Sequence, residues 1–228
     1  MKKIGLVCAV EINAIFKKFG APVIKEFSNG YEIMIYNFEK YSLFVVKSMM
    51  GEIYASATTQ FLITKYNVDM IVNFGVVGGL TMDMSSTKLC IVRNAIHYDM
   101  DTSAIDNIEV GRYYNYESVY LPSSPELIDV AIRLYPELKV VNCASADKFV
   151  ADADAKHNLA KQFNAEICDM ESAAIILIAN RNEKPVMLIK CVADGLTGGG
   201  EEYTQAFDNT SSLALDMLDG IIKCIVNE

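Results

Sequence analysis

The sequence predicts a single α/β domain that spans residues 1–228. Apolar runs of strand length alternate along the chain with segments whose apolar residues recur at helical spacing. A chain of 228 residues can bury a full core as one domain, and a second domain is possible but not required. Hydrophobic residues make up 52% of the chain, which leaves an apolar surplus for an extensive sheet core or a subunit interface.

The first third of the chain predicts a strand, a helix, a hairpin and a second helix. Residues 3–10 form a continuous apolar run, after which apolar residues recur at helical spacing until Gly20. Two runs rich in aromatic and β-branched residues, 31–38 and 41–47, predict the hairpin. Residues 52–66 then follow as the second helix.

The rest of the chain continues the alternation. A second buried strand, 69–74, runs into the glycine-rich segment 75–80, which we expect to be a loop that presents backbone N–H groups to a ligand. A strand at 88–96 precedes a long tyrosine-rich segment, 102–125, of the kind that serves as a lid or a subunit contact. The remaining predicted elements are helix 126–135, strand 138–144, helix 157–163, an apolar helix that begins near residue 171, strand 186–192 and helix 204–226.

Polar residues at the ends of these strands are the candidate site. Ligands of open α/β sheets bind outside the carboxyl ends of the strands, which makes Glu11, Asn13 and Asp194 candidates. Asp169 and Glu171 open a helix too apolar to face water, so each must meet a helix N-terminus, a ligand or a cation. Capping or turn formation is the alternative role for most of these residues. The two oxygens of Glu171 can accept from adjacent hydroxyls of a sugar.

Composition argues against several kinds of partner. A net charge of −9 with 20 Lys and Arg residues excludes a phosphate-tracking surface, so we expect no nucleic-acid partner. No run approaches the roughly 20 apolar residues that span a bilayer, and no cleavage site follows the first strand, so we expect a cytoplasmic protein with no membrane partner. Six dispersed cysteines and two histidines predict reduced thiols, no metal site and no cofactor.

Five short stretches carry a family resemblance. They are residues 3–5 with 9–11, 73–80, 147–150, 169–174 and 193–194. Together they resemble the nucleoside phosphorylase superfamily, and within it the bacterial 5′-methylthioadenosine/S-adenosylhomocysteine nucleosidases. The likeness runs from end to end, and the Met-Glu pair followed by the later Asp makes it specific. It implies a single domain with a central mixed, barrel-like β-sheet flanked by α-helices.

The resemblance also implies a role for each site residue. The purine would stack on Phe149 and bond the backbone of Val150. Met170 and Glu171 would hold the ribose, and Asp194 would protonate or hydrogen-bond N7 of the leaving base. Departure of the base leaves an oxocarbenium-like sugar, so the reaction needs an acid at the base and negative charge at the sugar.

Further residues follow from the same likeness. Met50 would border the apolar 5′-alkylthio group, Gly78 belongs to the glycine-rich segment that approaches the ligand, and Tyr203 or Phe207 would close the purine side. Where the nucleosidases carry a glutamate that activates water, this chain has Asn13, which can position water but cannot take its proton near neutral pH.

The chain differs from the family pattern at further positions of the expected site. Glu11 stands two positions before the match to the catalytic glutamate. The serine that supports the acid in the family is Ala193 here, and the serine of the glycine-rich segment is Val76. The site is therefore expected to be less polar than in the family pattern.

These observations favour a purine nucleoside N-ribosyl hydrolase acting on methylthioadenosine-like substrates, with catalytic residues Asp194, Glu171 and Asn13. No Lys or Arg lies in the glycine-rich segment, and a phosphorylase needs a cation near its phosphate. A phosphorylase stays open as an alternative if Lys47, Arg93 or Arg112 reaches the site. A nucleoside-binding protein without turnover is the other alternative. The apolar surplus and the tyrosine-rich segment favour a homodimer.

Overall fold

A mixed sheet of ten strands forms the centre of the structure, a computed structural model that describes residues 1–227. The strands are β1 Lys2–Cys8, β2 Ile24–Ser28, β3 Tyr31–Asn37, β4 Tyr41–Lys47, β5 Met70–Gly79, β6 Leu89–His97, β7 Leu121–Pro122, β8 Lys139–Ser145, β9 Ile167–Asp169 and β10 Val186–Asp194. The helices are α1 Ile12–Phe19, α2 Glu52–Tyr66, α3 Ser103–Asp106, α4 Pro125–Leu134, α5 Ala153–Phe163, α6 Ser172–Arg181 and α7 Gly200–Ile225.

Five of the strands close into a barrel. Strand β5 pairs with β10, which pairs with β6, and the ring continues through β8 and β9 back to β5. The remaining strands extend from β5 as an open sheet in the order β1, β4, β3, β2, and β7 pairs with β6. Parallel and antiparallel pairs both occur, so the predicted mixed, barrel-like sheet is confirmed.

Helices cover both faces of the sheet. Strand β1 shows the division, because Leu6 and Cys8 pack into the cluster that α1, α4 and α7 complete, whereas Val7 packs into the cluster under α2 and α6. This alternation follows from the two-residue period of a strand. Since both faces are covered, β1 and β10 read as continuous apolar runs rather than as alternating ones.

Most predicted elements agree with the structure, and the glycine-rich segment is the main correction. Helix α2 has the predicted bounds, whereas α7 begins four residues before the predicted start and β2 was not predicted. Residues 75–79 are not a loop, because β5 continues through them and pairs with β10 and β9. A Cβ on Gly79 would lie 1.9 Å from the carbonyl oxygen of Met84, so this glycine serves close packing within the strand.

Two further features concern the cysteines and the character of the helices. Five of the six cysteines are buried thiols, namely Cys8, Cys90, Cys143, Cys168 and Cys191, whereas Cys224 is partly exposed. Among the helices of residues 1–227, none combines the length and the apolar character that crossing a bilayer requires.

Candidate active site

A cavity of about 360 Å³ lies where the carboxyl ends of β1, β5 and β10 meet. This volume falls in the range of small-molecule sites. Eight of the ten predicted site residues line it: Met50, Gly78, Phe149, Val150, Met170, Glu171, Asp194 and Tyr203. Asn13 and Phe207 do not, and both line a neighbouring cavity of about 290 Å³. Glu11 lines the two cavities.

Glu11, rather than Asn13, points into the main cavity. Glu11 is the residue before α1, and Asn13 is the second residue of that helix, so their side chains need not share a face. Glu11 is 4% exposed, and its carboxylate accepts from the backbone N–H groups of Val10 at 2.9 Å and Val76 at 3.2 Å. Asn13 is exposed. The prediction of Asn13 as a residue of this cavity therefore does not match the geometry.

Glu171 lies buried at the start of α6. Its Oε1 accepts from the backbone N–H of Gly51 at 2.9 Å, and no group in residues 1–227 donates to Oε2. Gly51 has φ of +105°, a conformation that L side chains rarely adopt, so glycine is required at this contact. Burial and the charge of Asp169 raise the pKa of Glu171 to about 7, although Lys190 opposes the rise. One carboxylate oxygen is thus fixed and the other is available to a ligand.

Asp169 caps α6 and forms an ion pair beneath the cavity. Its Oδ1 accepts from the Ser172 backbone N–H at 3.2 Å, and its Oδ2 lies 2.8 Å from Nζ of Lys190. Burial alone would raise the pKa of Asp169, but Lys190 and the hydroxyl donors Ser172 and Ser145 lower it to about 2. Of the partners expected for Asp169, it meets two, a helix N-terminus and a cation; the sequence analysis did not identify the cation as Lys190.

The hydroxyl of Ser145 connects Asp169 to a third buried carboxyl group. Ser145 Oγ lies 2.7 Å from Oδ1 of Asp169 and 2.5 Å from Oε1 of Glu52. A hydroxyl has a single proton, so it cannot donate to two carboxylates at once. Burial raises the pKa of Glu52 to about 8, and the nearby charges of Asp169 and Glu171 add to the rise. We therefore assign the proton to Glu52, which donates to Ser145, which donates to Asp169.

Asp194 is the last residue of β10 and is 1% exposed. Its Oδ2 lies 2.5 Å from Nζ of Lys156, whereas its Oδ1 is buried and has no partner in residues 1–227. The backbone of Gly78 passes close by, since a Cβ there would lie 3.6 Å from both carboxylate oxygens. Burial raises the pKa of Asp194, and the hydrogen bond from Lys156 opposes the rise. A carboxyl group with these properties suits a general acid.

Aromatic rings form one wall of the cavity. Phe149 is 46% exposed, and its ring meets that of Tyr203 at a centroid distance of 5.3 Å and an angle of 80°. Phe207 packs behind Tyr203, with 5.7 Å between ring centroids. Of the two rings expected to close the purine side, Tyr203 lines the cavity and Phe207 supports it. An exposed ring at the edge of a cavity offers a face on which a flat base can stack.

Cations lie below the cavity rather than in it. Lys190 and Lys156 are buried and each is engaged by an aspartate. In the part of the chain that the structure describes, Lys148 is the basic residue that lines the cavity, and it is exposed. The three cations on which a phosphorylase would depend, Lys47, Arg93 and Arg112, do not line it.

Three residues of this site escaped the sequence analysis: Lys156, Lys190 and Glu52. Lys190 did carry a signal, because a charged residue within the apolar run of β10 must find a buried partner. Lys156 lies on a helix with other charged residues, and Glu52 is an acidic residue in the first turn of α2, where such residues are common, so the sequence offers no comparable signal for either.

Comparison with known proteins gives a consistent set of relatives. The family model described as "Phosphorylase superfamily" matches residues 3–227. An aminodeoxyfutalosine nucleosidase of Helicobacter pylori (strain J99) is 25% identical over 236 residues, which cover all of both chains. A 5′-methylthioadenosine/S-adenosylhomocysteine nucleosidase of Buchnera aphidicola from Acyrthosiphon pisum is 27% identical over 205 residues, which cover 84% of each chain.

A solved structure resembles this fold along nearly its whole length. The 5′-methylthioadenosine/S-adenosylhomocysteine nucleosidase of Helicobacter pylori superposes with a TM-score of 0.92, covers 97% of this chain and 98% of its own, and is 22% identical in sequence. At this level of identity the likeness supports the fold.

Proposed function

This chain belongs to the phosphorylase superfamily, and from that premise we propose that it is a nucleosidase that hydrolyses the N-glycosidic bond of 5′-methylthioadenosine-like purine nucleosides. One observation carries the proposal: Asp194 and Glu171, which come from different elements, line one cavity that also contains the exposed ring of Phe149. Curated relatives named as nucleosidases agree with this chemistry.

The base is bound between the aromatic wall and Asp194. The purine stacks on Phe149, and its edge bonds the backbone of Val150, which lines the same wall. The carboxyl group of Asp194 donates its proton to N7 as the glycosidic bond breaks. Burial raises the pKa of Asp194, which favours the protonated form that this step needs. The electron pair of the glycosidic bond passes to the base, which leaves as a neutral molecule protonated at N7, and the positive charge stays on the sugar.

The sugar is held by Glu171 and Met170. Oε2 of Glu171 accepts from the ribose hydroxyls, because Oε1 is already occupied by the N–H of Gly51. The negative charge also stabilises the oxocarbenium-like sugar that forms when the base departs. Met170 and Met50 line the cavity with flexible apolar side chains that suit a 5′-alkylthio group.

Glu11 is the residue we assign to the attacking water. Glu11 lines the main cavity and Asn13 does not. A carboxylate can take a proton from water, whereas an amide cannot. A Cβ on Gly75 would lie 2.9 Å from Oε1 of Glu11 and 3.7 Å from Nζ of Lys190. The water gives its proton to Glu11 as its oxygen bonds C1′, which completes hydrolysis.

Adenine release from 5′-methylthioadenosine, measured with and without phosphate, tests the proposal. We expect release without phosphate, and Asp194→Asn should reduce kcat by at least about 10²-fold, the scale of a lost general acid. Asp129→Asn, at an exposed aspartate on α4, is the matched control and should leave kcat unchanged. Release that depends strictly on phosphate would make the protein a phosphorylase. Purine binding without any release would make it a binding protein.

The preferred substituent at the 5′ position is a separate question with a direct test. The Helicobacter pylori relative that matches the whole chain is named an aminodeoxyfutalosine nucleosidase, so that nucleoside competes with methylthioadenosine and S-adenosylhomocysteine as the substrate. Parallel kcat/KM measurements on the three nucleosides rank them. We expect methylthioadenosine to lead, because apolar methionine side chains border the cavity.

We also propose a homodimer. Apolar side chains at the start of α2 are exposed beside the cavity: Met49, Met50, Ile53 and Tyr54. Contiguous exposed apolar side chains often mark a protein–protein interaction site. The molar mass in solution, measured by light scattering, should be about twice that of the 25.2 kDa chain. The predicted cytoplasmic location stays a prediction.

A further inference from the structure

Lys156 is a buried lysine on a helix that is otherwise largely exposed. Its side chain has no exposed surface, although its sequence neighbours His157 and Asn158 on α5 face solvent. Burial of an ammonium group without a partner costs several kcal/mol, so such a residue is retained only where its donors are used. The contacts of Lys156 therefore indicate its purpose.

All three donors of Lys156 are directed to one place. Nζ lies 2.5 Å from Oδ2 of Asp194, 2.6 Å from the carbonyl oxygen of Gly195 and 3.3 Å from that of Gly198. These contacts join α5 to the end of β10 and to the turn that leads into α7. The turn has a second tie, because Gly195 N–H donates to Glu202 at 3.0 Å.

The same contacts restrict the Asp194 carboxyl group. With Oδ2 held by Lys156, the remaining oxygen, Oδ1, is buried and has no partner in the described chain. Asp194 lines the cavity, so Oδ1 is the oxygen available to a ligand there. Ala193, the preceding residue, has no hydroxyl with which to orient the carboxyl group from its own strand.

We propose that Lys156 is a positioning residue for the general acid, which holds Oδ2 of Asp194 so that Oδ1 alone meets the leaving base. The inference rests on the proposed function for the identity of the base. Its electrostatic part does not, because a cation at 2.5 Å favours the carboxylate form of Asp194 whatever the ligand is. Lys156 thereby limits how far burial raises the acid's pKa and keeps its proton transferable.

Other titratable groups that act on Asp194, or are acted on by it, lie on α7 and β9. Glu202, on α7, raises the pKa of Asp194 by its charge, in opposition to Lys156. The Tyr203 hydroxyl on α7 and the Cys168 thiol on β9 sense the charge of Asp194, and burial raises the pKa of both, so they stay neutral near pH 7. Lys156 is thus the cation that forms the ion pair with Asp194.

The test is a pair of pH titrations on Lys156→Met and on the wild-type chain. The pKa of Asp194 is read from carboxyl ¹³C resonances of aspartate-labelled protein, assigned with Asp194→Asn. The second titration follows kcat for adenine release from methylthioadenosine. We expect Lys156→Met to raise the pKa of Asp194 by at least about one pH unit. The alkaline limb of the kcat profile, where the acid loses its proton, should move up with it while KM changes little.

Two further variants complete the test. Lys156→Arg should restore the wild-type profile in large part because it retains a cation, and Lys161→Met, at an exposed lysine of the same helix, should change neither titration. If Lys156→Met does not fold, Lys156→Gln carries the same expectation with a polar side chain.

The two proposals fail in different ways. An unchanged Asp194 pKa in a folded Lys156 variant would overturn the positioning role, even if adenine release were robust. A wild-type chain that releases no adenine would instead refute the nucleosidase assignment, and the ¹³C titration would still decide whether Lys156 controls Asp194.

Discussion

Replacement of Glu52 by glutamine tests the proton assignment in the buried network under the cavity. Glu52 accepts from the backbone N–H of Ala174 at 2.5 Å and shares the Ser145 hydroxyl with Asp169. A glutamine can reproduce the protonated acid, since its oxygen accepts from Ala174 and its NH₂ group donates to Ser145. Glu52→Gln should therefore fold with its hydrogen bonds intact.

The size of the effect follows from the pKa of Glu52. A rise from 4.5 to about 8 corresponds to roughly 5 kcal/mol of unfolding free energy. Because the folded state holds this proton more tightly than the unfolded state, the contribution is fully present below about pH 4.5. It is lost as the pH rises through about 8. Near pH 7 roughly 3 kcal/mol of it has already been lost.

Glutamine does not ionise, so the free energy of unfolding of the variant does not fall in this way as the pH rises. The free energy of unfolding of Glu52→Gln minus that of the wild type should increase steadily between about pH 5 and 8 and then level off. Urea unfolding at a series of pH values, followed by circular dichroism, measures the difference. Glu39→Gln, at an exposed residue of the hairpin, is the control and should run parallel to the wild type.

A difference between Glu52→Gln and the wild type that does not vary with pH would refute the reasoning. It would mean that Glu52 is ionised in the folded protein and that Ser145 donates to it rather than to Asp169. The variant would then be less stable by a constant amount. Its NH₂ group would face the donating hydroxyl of Ser145, whereas the wild-type carboxylate accepts that hydrogen bond.

Three other changes test the site and the strand that supports it. Glu11→Gln should lower kcat by about 10²-fold or more, and Asn13→Ala should leave it nearly unchanged; similar losses in both variants would reject Glu11 as the residue that activates water. Phe149→Ala should raise KM for methylthioadenosine by roughly threefold to tenfold through lost stacking, with little change in thermal stability because the ring is half exposed; an unchanged KM would remove the ring from the base site. Gly79→Ala should destabilise the fold by about 3 kcal/mol or more, since the new methyl group would overlap a backbone oxygen. Gly200→Ala, in open space, is its control in the same unfolding assay.

Local sequence patterns predicted the elements well where apolar residues recurred regularly or formed a continuous run. The apolar periodicity of residues 52–66 gave the bounds of α2, and the continuous run at 186–192 gave most of β10. The same patterns gave no warning that residues 75–79 continue a strand. Glycines favour loops when taken alone, and the close packing against Met84 that requires them depends on residues that the pattern does not include.

The candidate site divides in a similar way. Glu171 and Asp194 could be named in advance because sheets of alternating β and α elements gather the carboxyl ends of their strands, which brings distant residues to one edge. The choice between Glu11 and Asn13 could not be made, since it depends on the residue at which α1 begins and on the side that faces the barrel. A shift of one residue in that start rotates every side chain of the helix by about 100°.

The sequence by itself determined most of the strands and helices and the family resemblance, because each of these depends on short-range spacing. Tertiary structure alone decided which five strands close into the barrel and that Lys156 and Lys190 lie buried against Asp194 and Asp169. The physical reason is that the state of a charged side chain depends on the partner it meets across the fold. Lys156 and Asp194 are separated by 38 positions, a distance over which the spacing of residues carries no information about contact.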